Sequence, residues 1–369
     1  MTDPVKFTTL ASGNHKQIGV ATLNVPKTLN SLSLDMIDLL DAQLRAWQAD
    51  DAIAMVLLDA EGEKAFCAGG DIVQLYRAMV EAGDAKRNDY AEQFFGREYR
   101  LDYLLHSYGK PILCWGHGIV MGGGLGLLSG CSHRVVTEAS RIAMPEITIG
   151  LFPDVGGSWF LSRMPGRTGL FLGLTGANIN CHDAVFLGLA DRVLPHDSKA
   201  AVLDALGKIL WPGGEQDHVA LSSVLRRHHL AMEELPASPV REHYDLINTL
   251  CDADTLPLVV DRITALESDD KWLARAVSTL KKGCAQTAWL VWECQRRARQ
   301  KSVREVFQME WIVAVQCALH KDFREGVRAL LIDKDGEPDF VYQDPGLVPR
   351  DYIEEFFTCP TQTHPLEDL

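Results

Sequence analysis

Pro111-Ile112-Leu113-Cys114-Trp115 leads into Gly122-Gly123-Gly124 and then Leu125-Gly126-Leu127-Leu128. A short apolar run of this kind reads as a buried strand, the three glycines as a loop, and the apolar residues after them as the start of a helix. Three consecutive glycines leave no side chain between a ligand and the backbone. The helix start adds free N–H groups and the positive end of a dipole. Pro145-Glu146 and Phe152-Pro153-Asp154-Val155-Gly156-Gly157 follow, bringing two carboxylates close in sequence to that loop. Backbone amides can hold negative charge developing on a carbonyl oxygen, while carboxylates move protons or attack the carbonyl carbon. The combination points to chemistry on an activated acyl group.

Outward from this stretch, Ile18 to Asn24 alternates apolar and polar residues as a strand does. Met36, Ile37, Leu40, Leu44 and Trp47 keep helical spacing, with Ser33 placed to cap. Ile53 to Leu58 is a strand apolar on both faces, and residues 60–70 read as a loop ending in Cys67-Ala68-Gly69-Gly70-Asp71. Helices are predicted over Ile72 to Val80 and Tyr90 to Ser107, and short strands over His133 to Thr137 and Arg141 to Met144. This alternation predicts an α/β core with much parallel pairing over residues 1–195, carrying the active site. From Asp197 strand signals are few. Val202–Leu210, Val219–Met232 and Tyr244–Leu250 have helical spacing, so residues 196–369 are expected to be mostly helical.

The chain has 369 residues, 47% of them hydrophobic and 23% charged, enough for two domains. A formal charge of −14 argues against nucleic acid or an anionic membrane as partner, and no apolar run is long enough to span a bilayer. Nine cysteines, none in a Cys-x-x-Cys pair, read as reduced thiols. The first residues carry neither an apolar signal core nor an Arg-rich amphipathic presequence, which makes the cytoplasm the expected compartment.

Each candidate has a plain alternative. Gly-rich turns commonly just join a strand to a helix, although two of them, Ala68-Gly69-Gly70-Asp71 and Gly122-Gly123-Gly124, stand in that position here. Glu146 can be a solvated loop residue, Asp154 the N-cap of the next helix, and Glu98 in Arg97-Glu98-Tyr99-Arg100 a partner in a surface ion pair. No phosphate-binding loop, dinucleotide fingerprint, Gly-x-Ser-x-Gly elbow or His-Glu-x-x-His motif occurs, so no nucleotide, serine-nucleophile or zinc chemistry is indicated. Cys67 lies beside a proposed oxyanion loop, but a free cysteine is ordinarily a small buried hydrophobe.

Taken together, the chain resembles the crotonase (enoyl-CoA hydratase/isomerase) superfamily. The matching pieces are Leu23-Asn24-Val25-Pro26-Lys27 through Leu29-Asn30-Ser31-Leu32, Lys64 through Asp71, Gly122-Gly123-Gly124, Met144-Pro145-Glu146, and Asp322-Phe323-Arg324-Glu325-Gly326-Val327-Arg328-Ala329. Within it, Ile149 through Gly157 and Leu330-Leu331-Ile332-Asp333-Lys334-Asp335 look most like the 3-hydroxyisobutyryl-CoA hydrolases of valine breakdown. The resemblance implies a spiral of β-β-α repeats with a mostly helical C-terminal extension. It implies an oxyanion hole from the amides of Gly70 and Gly123, acids at Glu146 and Asp154, and a substrate contact at Glu98. Lys27 and Ala68 correspond more loosely to positions near the CoA moiety.

Enoyl-CoA hydratases place a first glutamate where this chain has Gly126, and a glycine where it has Asp154. One hydratase carboxylate is therefore missing and another acid is present, which favours hydrolysis of a 3-hydroxyacyl-CoA over hydration. The implied partner is the acyl-CoA substrate, with no cofactor beyond the CoA it carries. A hydratase or isomerase on the same fold, a non-catalytic acyl-CoA-binding homologue, and a homo-oligomeric assembly all remain open.

Overall fold

The computed structural model describes residues 3–369. Its strands are β1 (Val5–Ala11), β2 (Gln17–Leu23), β3 (Ile53–Ala60), β4 (Ala65–Cys67), β5 (Ile112–Gly116), β6 (Ile119–Met121), β7 (His133–Val136), β8 (Arg141–Ala143) and β9 (Arg192–Val193). Among them lie helices α1 (Leu34–Ala49), α2 (Ile72–Ala82), α3 (Asp89–His106), α4 (Gly123–Gly130), α5 (Gly157–Leu161), α6 (Thr168–Thr175) and α7 (Cys181–Phe186). Helices alone follow β9: α8 (Lys199–Gly207), α9 (Glu215–Arg227), α10 (Pro239–Glu242), α11 (Tyr244–Cys251), α12 (Leu256–Thr264) and α13 (Lys271–Lys282). The series ends with α14 (Ala285–Ala298), α15 (Val303–Leu319), α16 (Lys321–Val327) and α17 (Arg350–Glu355).

Strands β3, β5 and β7 each open a repeat that continues through β4, β6 and β8 into a helix. The first strands of the repeats join a six-stranded sheet of order β1-β2-β3-β5-β7-β9, and the second strands form a three-stranded sheet of order β4-β6-β8. Only β1 and β2 run antiparallel in the larger sheet. Strand β3 is buried along its whole length, as expected of a parallel strand covered on both faces. This is the β-β-α crotonase-type spiral implied by the resemblance, followed by the helical extension α10–α17.

By contacts the chain forms two compact units, each built from three segments. The first comprises residues up to Gly70, Leu101–Ile142 and Ile179–Ser238. Its core sets Ile18, Val20, Met55, Leu57, Leu113 and Trp115 of the six-stranded sheet against Val202, Leu206, Leu221, Val224 and Leu225 of α8 and α9. The second comprises Asp71–Arg100, Ala143–Asn178 and Pro239–Leu369. There α14 packs on α5 and α6, and α15 on α2, α5 and α16. The division at residue 195 drawn from the sequence follows element content, whereas the units follow contacts. Segments on either side of 195 are therefore shared between them.

Short elements depart from the sequence reading. Strand β4 lies inside the predicted 60–70 loop, and β6 intervenes between β5 and the glycines. Three residues are too few for alternation to register. No helix of the described residues is long and apolar enough to cross a membrane.

Candidate active site

In the first unit the two glycine turns abut. A methyl placed on Gly69, whose φ is +112°, would lie 3.5 Å from the Met121 carbonyl oxygen and 3.9 Å from the Gly123 nitrogen. Gly124 is tighter still, with 2.3 Å from the same construction to the Cys67 carbonyl oxygen. Gly123 is the first residue of α4, so its own N–H has no acceptor within the helix. Gly70 is bridged to Leu32, whose N–H donates to Gly69 O at 2.8 Å, and Ala68 N–H donates to Leu29 O at 3.0 Å. Buried Asn30 braces this neighbourhood: its Oδ1 accepts from Val25 N–H at 2.8 Å and its Nδ2 donates to Glu61 O and Ala65 O at 3.0 Å each. Lys27 is exposed and Ala68 half-buried. Gly124→Ala forces a methyl onto the Cys67 backbone and is expected to remove about 1–3 kcal/mol of stability in urea unfolding. Unchanged stability would mean the turns part without strain.

The second unit gathers the acids. Glu146 opens a 3₁₀ turn, Glu146–Thr148, directly after Pro145. Exposures of 3% for Glu98, 5% for Glu146 and 4% for Asp154 exclude the solvated-loop and surface-ion-pair readings. Glu98 is inward because α3 buries Ala91, Phe94, Phe95 and Tyr99 along one helical stripe that also takes in position 98. The N-cap reading of Asp154 fails too. Gly156 occupies the cap of α5, and the Asp154 side chain instead accepts a 2.6 Å hydrogen bond from the Tyr99 hydroxyl.

Burial pushes the carboxyls of Glu98 and Glu146 well above the ordinary carboxylate range, and the charge of Asp154 raises both further. Asp154 is itself raised by burial to about 6, against the opposing hydrogen bond from Tyr99. Glu98 Oε1 and Glu146 Oε2 are buried with no hydrogen-bond partner among the described residues. Each such atom costs about 1–3 kcal/mol, so a ligand able to donate to them recovers that energy. Buried acids whose charges interact are equipped to divide proton transfer and attack between them.

Sequence reasoning missed two residues of this cluster, Tyr99 and Glu310. Glu310 lies on α15 and is fully buried; its Oε2 accepts from Gly156 N–H at 2.7 Å and its Oε1 from Ser158 N–H at 2.8 Å. Its available signal is one acid at core spacing among Val306, Phe307, Trp311 and Ala314. The turn it braces is unusual: Val155 has φ +52° and Gly156 φ +85°, and the first is a conformation costing a β-branched residue about 1–3 kcal/mol. The Glu146 turn is pinned as well. Cys284 N–H donates to Ile147 O at 2.9 Å, and a methyl on Gly326 would lie 2.4 Å from the Ile149 carbonyl carbon. The C-terminal motif around Gly326 is thus a seat for the Glu146 segment. Among the described residues no three His, Cys, Asp or Glu side chains are grouped to hold a metal ion.

The Enoyl-CoA hydratase/isomerase family profile matches residues 18–357. The mitochondrial 3-hydroxyisobutyryl-CoA hydrolase of Xenopus tropicalis is 35% identical over 340 residues, covering 92% of this chain and 86% of that protein. The Homo sapiens enzyme of the same name is 36% identical over 322 residues, covering 87% and 81%. Among solved structures, a carnitinyl-CoA dehydratase from Mycobacterium thermoresistibile superposes with a TM-score of 0.86 at 30% identity, over 100% of both chains. An enoyl-CoA hydratase from Rhodobacter sphaeroides 2.4.1 gives 0.82 at 33% identity, over 96% of this chain and 97% of that one. The cytoplasmic expectation is corrected by these relatives, since the matched vertebrate hydrolases are all mitochondrial proteins. Reduced cysteines report the redox poise of a compartment and do not tell one reducing compartment from another. With the strand order, the two glycine turns and the similarity to these relatives in agreement over most of its length, the chain belongs to the enoyl-CoA hydratase/isomerase (crotonase) family.

Proposed function

We propose that this protein hydrolyses a short 3-hydroxyacyl-CoA thioester, with 3-hydroxyisobutyryl-CoA as substrate and 3-hydroxyisobutyrate and CoA as products. Action on acyl-CoA thioesters goes with the family; the choice of hydrolysis rests on Asp154. A carboxylate stands where hydratases have glycine, buried, bonded to Tyr99 and raising the Glu146 carboxyl, while Gly126 replaces the first hydratase glutamate. In this reading the amides of Gly70 and Gly123 receive the carbonyl oxygen as charge develops on it. Glu146 attacks the carbonyl carbon, the C–S bond breaks, and CoA leaves as the thiol after taking up a proton. Water then cleaves the resulting anhydride and restores the carboxylate. Alternatively Glu146 takes a proton from water, which attacks in its place. Asp154 orients Glu146 and handles a proton, and Glu98 accepts a hydrogen bond from the 3-hydroxyl.

The test is free-thiol release from 3-hydroxyisobutyryl-CoA. Rapid release is expected, with 3-hydroxypropionyl-CoA also turned over, because one methyl in an apolar pocket discriminates by only about 1–3 kcal/mol. A second reading, hydration, is favoured by the hydratase and dehydratase names of the two solved structures. Loss of the enoyl chromophore of crotonyl-CoA without thiol release would establish that reading and sink the hydrolase.

A further inference from the structure

We propose that Glu310 is a positioning residue for the reaction, holding the turn that presents Asp154 from helix α15. The inference rests on the hydrolase reading for its kinetic consequence but not for its structural one. Two successive residues after Asp154, Val155 and Gly156, have positive φ, and for Val155 that backbone is sparsely populated. Such a conformation persists where its surroundings over-determine it. The side-chain oxygens of Glu310 do this by each accepting one N–H, from Gly156 and from Ser158, on either side of Gly157.

The same face of α15 reaches Asp154 by a second route. Phe307, one helical turn before Glu310, packs against the ring of Tyr99 with centroids 5.9 Å apart, and the Tyr99 hydroxyl donates to Asp154. Positions 307 and 310 therefore fix both the backbone that carries Asp154 and the hydroxyl that orients its carboxylate. This gives the helical extension a task in the chemistry. The titratable groups that act on or feel Glu310 are Asp154, Tyr99 of α3 and Cys294 of α14. Burial pushes the Glu310 carboxyl up to about 8, and the hydrogen bonds from the turn oppose that rise.

Glu310→Gln keeps the shape but replaces one acceptor with an NH2 group that cannot take the N–H facing it. Thiol release should fall about 10²-fold in kcat, the size of loss that small misplacement of a catalytic group produces, with KM within about twofold. In the free protein, the carboxyl 13C resonance of Asp154 should titrate at a displaced pH. Ser302→Ala removes the cap of the same helix without touching the turn, and should lower Tm while leaving kcat and the Asp154 titration at wild-type values. A Glu310→Gln protein that loses Tm but keeps wild-type kcat and Asp154 titration overturns the proposal. If that variant does not fold, Glu310→Asp is read in the same way. Should the wild type release no thiol, the hydrolase reading fails alone, and the amide resonances of Gly156 and Ser158 in Glu310→Gln, which move only if those amides lose their acceptor, decide whether Glu310 holds the turn.

Discussion

Glu146→Gln should abolish CoA release while leaving a folded protein that is at least as stable as the wild type near neutral pH. The amide keeps the volume of the buried side chain but can neither attack the thioester nor accept a proton from water, so turnover should drop by at least about 10³-fold. The stability prediction follows from the direction of the shift. Burial and the charge of Asp154 raise the folded Glu146 carboxyl above its unfolded value. Its protonation therefore supports the fold below the ordinary carboxylate range, and that support is lost as pH rises through the raised value. Near neutrality, ionising this group opposes folding, and glutamine removes the opposition. Urea unfolding of the two proteins at neutral pH, beside thiol release, gives both numbers. Activity lost together with stability would indicate a structural role for Glu146 and remove it from the chemistry.

Long elements and local chemistry were legible in the sequence. Helix α1 begins where Ser33 was expected to cap it, with Ser33 Oγ accepting from Met36 N–H at 3.2 Å. The all-apolar run at Ile53 became a strand buried on both faces, because only a central parallel strand has no solvated side. The glycine turns were legible as turns, and their mutual contact follows from the absence of side chains at Gly69 and Gly124. What could not be read was long-range pairing. Nothing near Glu98 in the sequence says that its neighbour Tyr99 bonds Asp154, 55 residues later. Nothing near Gly156 says that its amide is taken by Glu310, 154 residues later. Local reasoning therefore supplied each acid with its nearest ordinary role, a solvated loop, a cap or a surface ion pair, where tertiary contacts supply another. The three-residue strands β4 and β6 escaped for a related reason, since neighbours across the sheet rather than their own pattern define them.

Asp154→Asn should lower thiol release by about 10²–10⁴-fold and move the rising limb of the pH profile towards acid. In either proposed route Glu146 acts as a carboxylate, so the rate is expected to climb with pH as Glu146 loses its proton. The negative charge of Asp154 raises the Glu146 carboxyl, and burial does so more strongly. A neutral asparagine removes the charge and leaves the burial, so the limb shifts down without returning to the range of a solvated glutamate. Unfolding does not confound the result. Asp154 is raised from 3.8 to about 6, so its protonated form supports the fold below about 4 and that support is gone above about 6. At slightly alkaline pH the asparagine protein should then be no less stable than the wild type. Asparagine Oδ1 can still accept from the Tyr99 hydroxyl, and the Glu310 bonds to the turn do not involve the side chain of residue 154, so the change is confined to charge and proton capacity. A limb that stayed in place, or moved to alkaline pH, would show that Asp154 does not set the ionisation of Glu146, and the pairing of the two acids would fall with it.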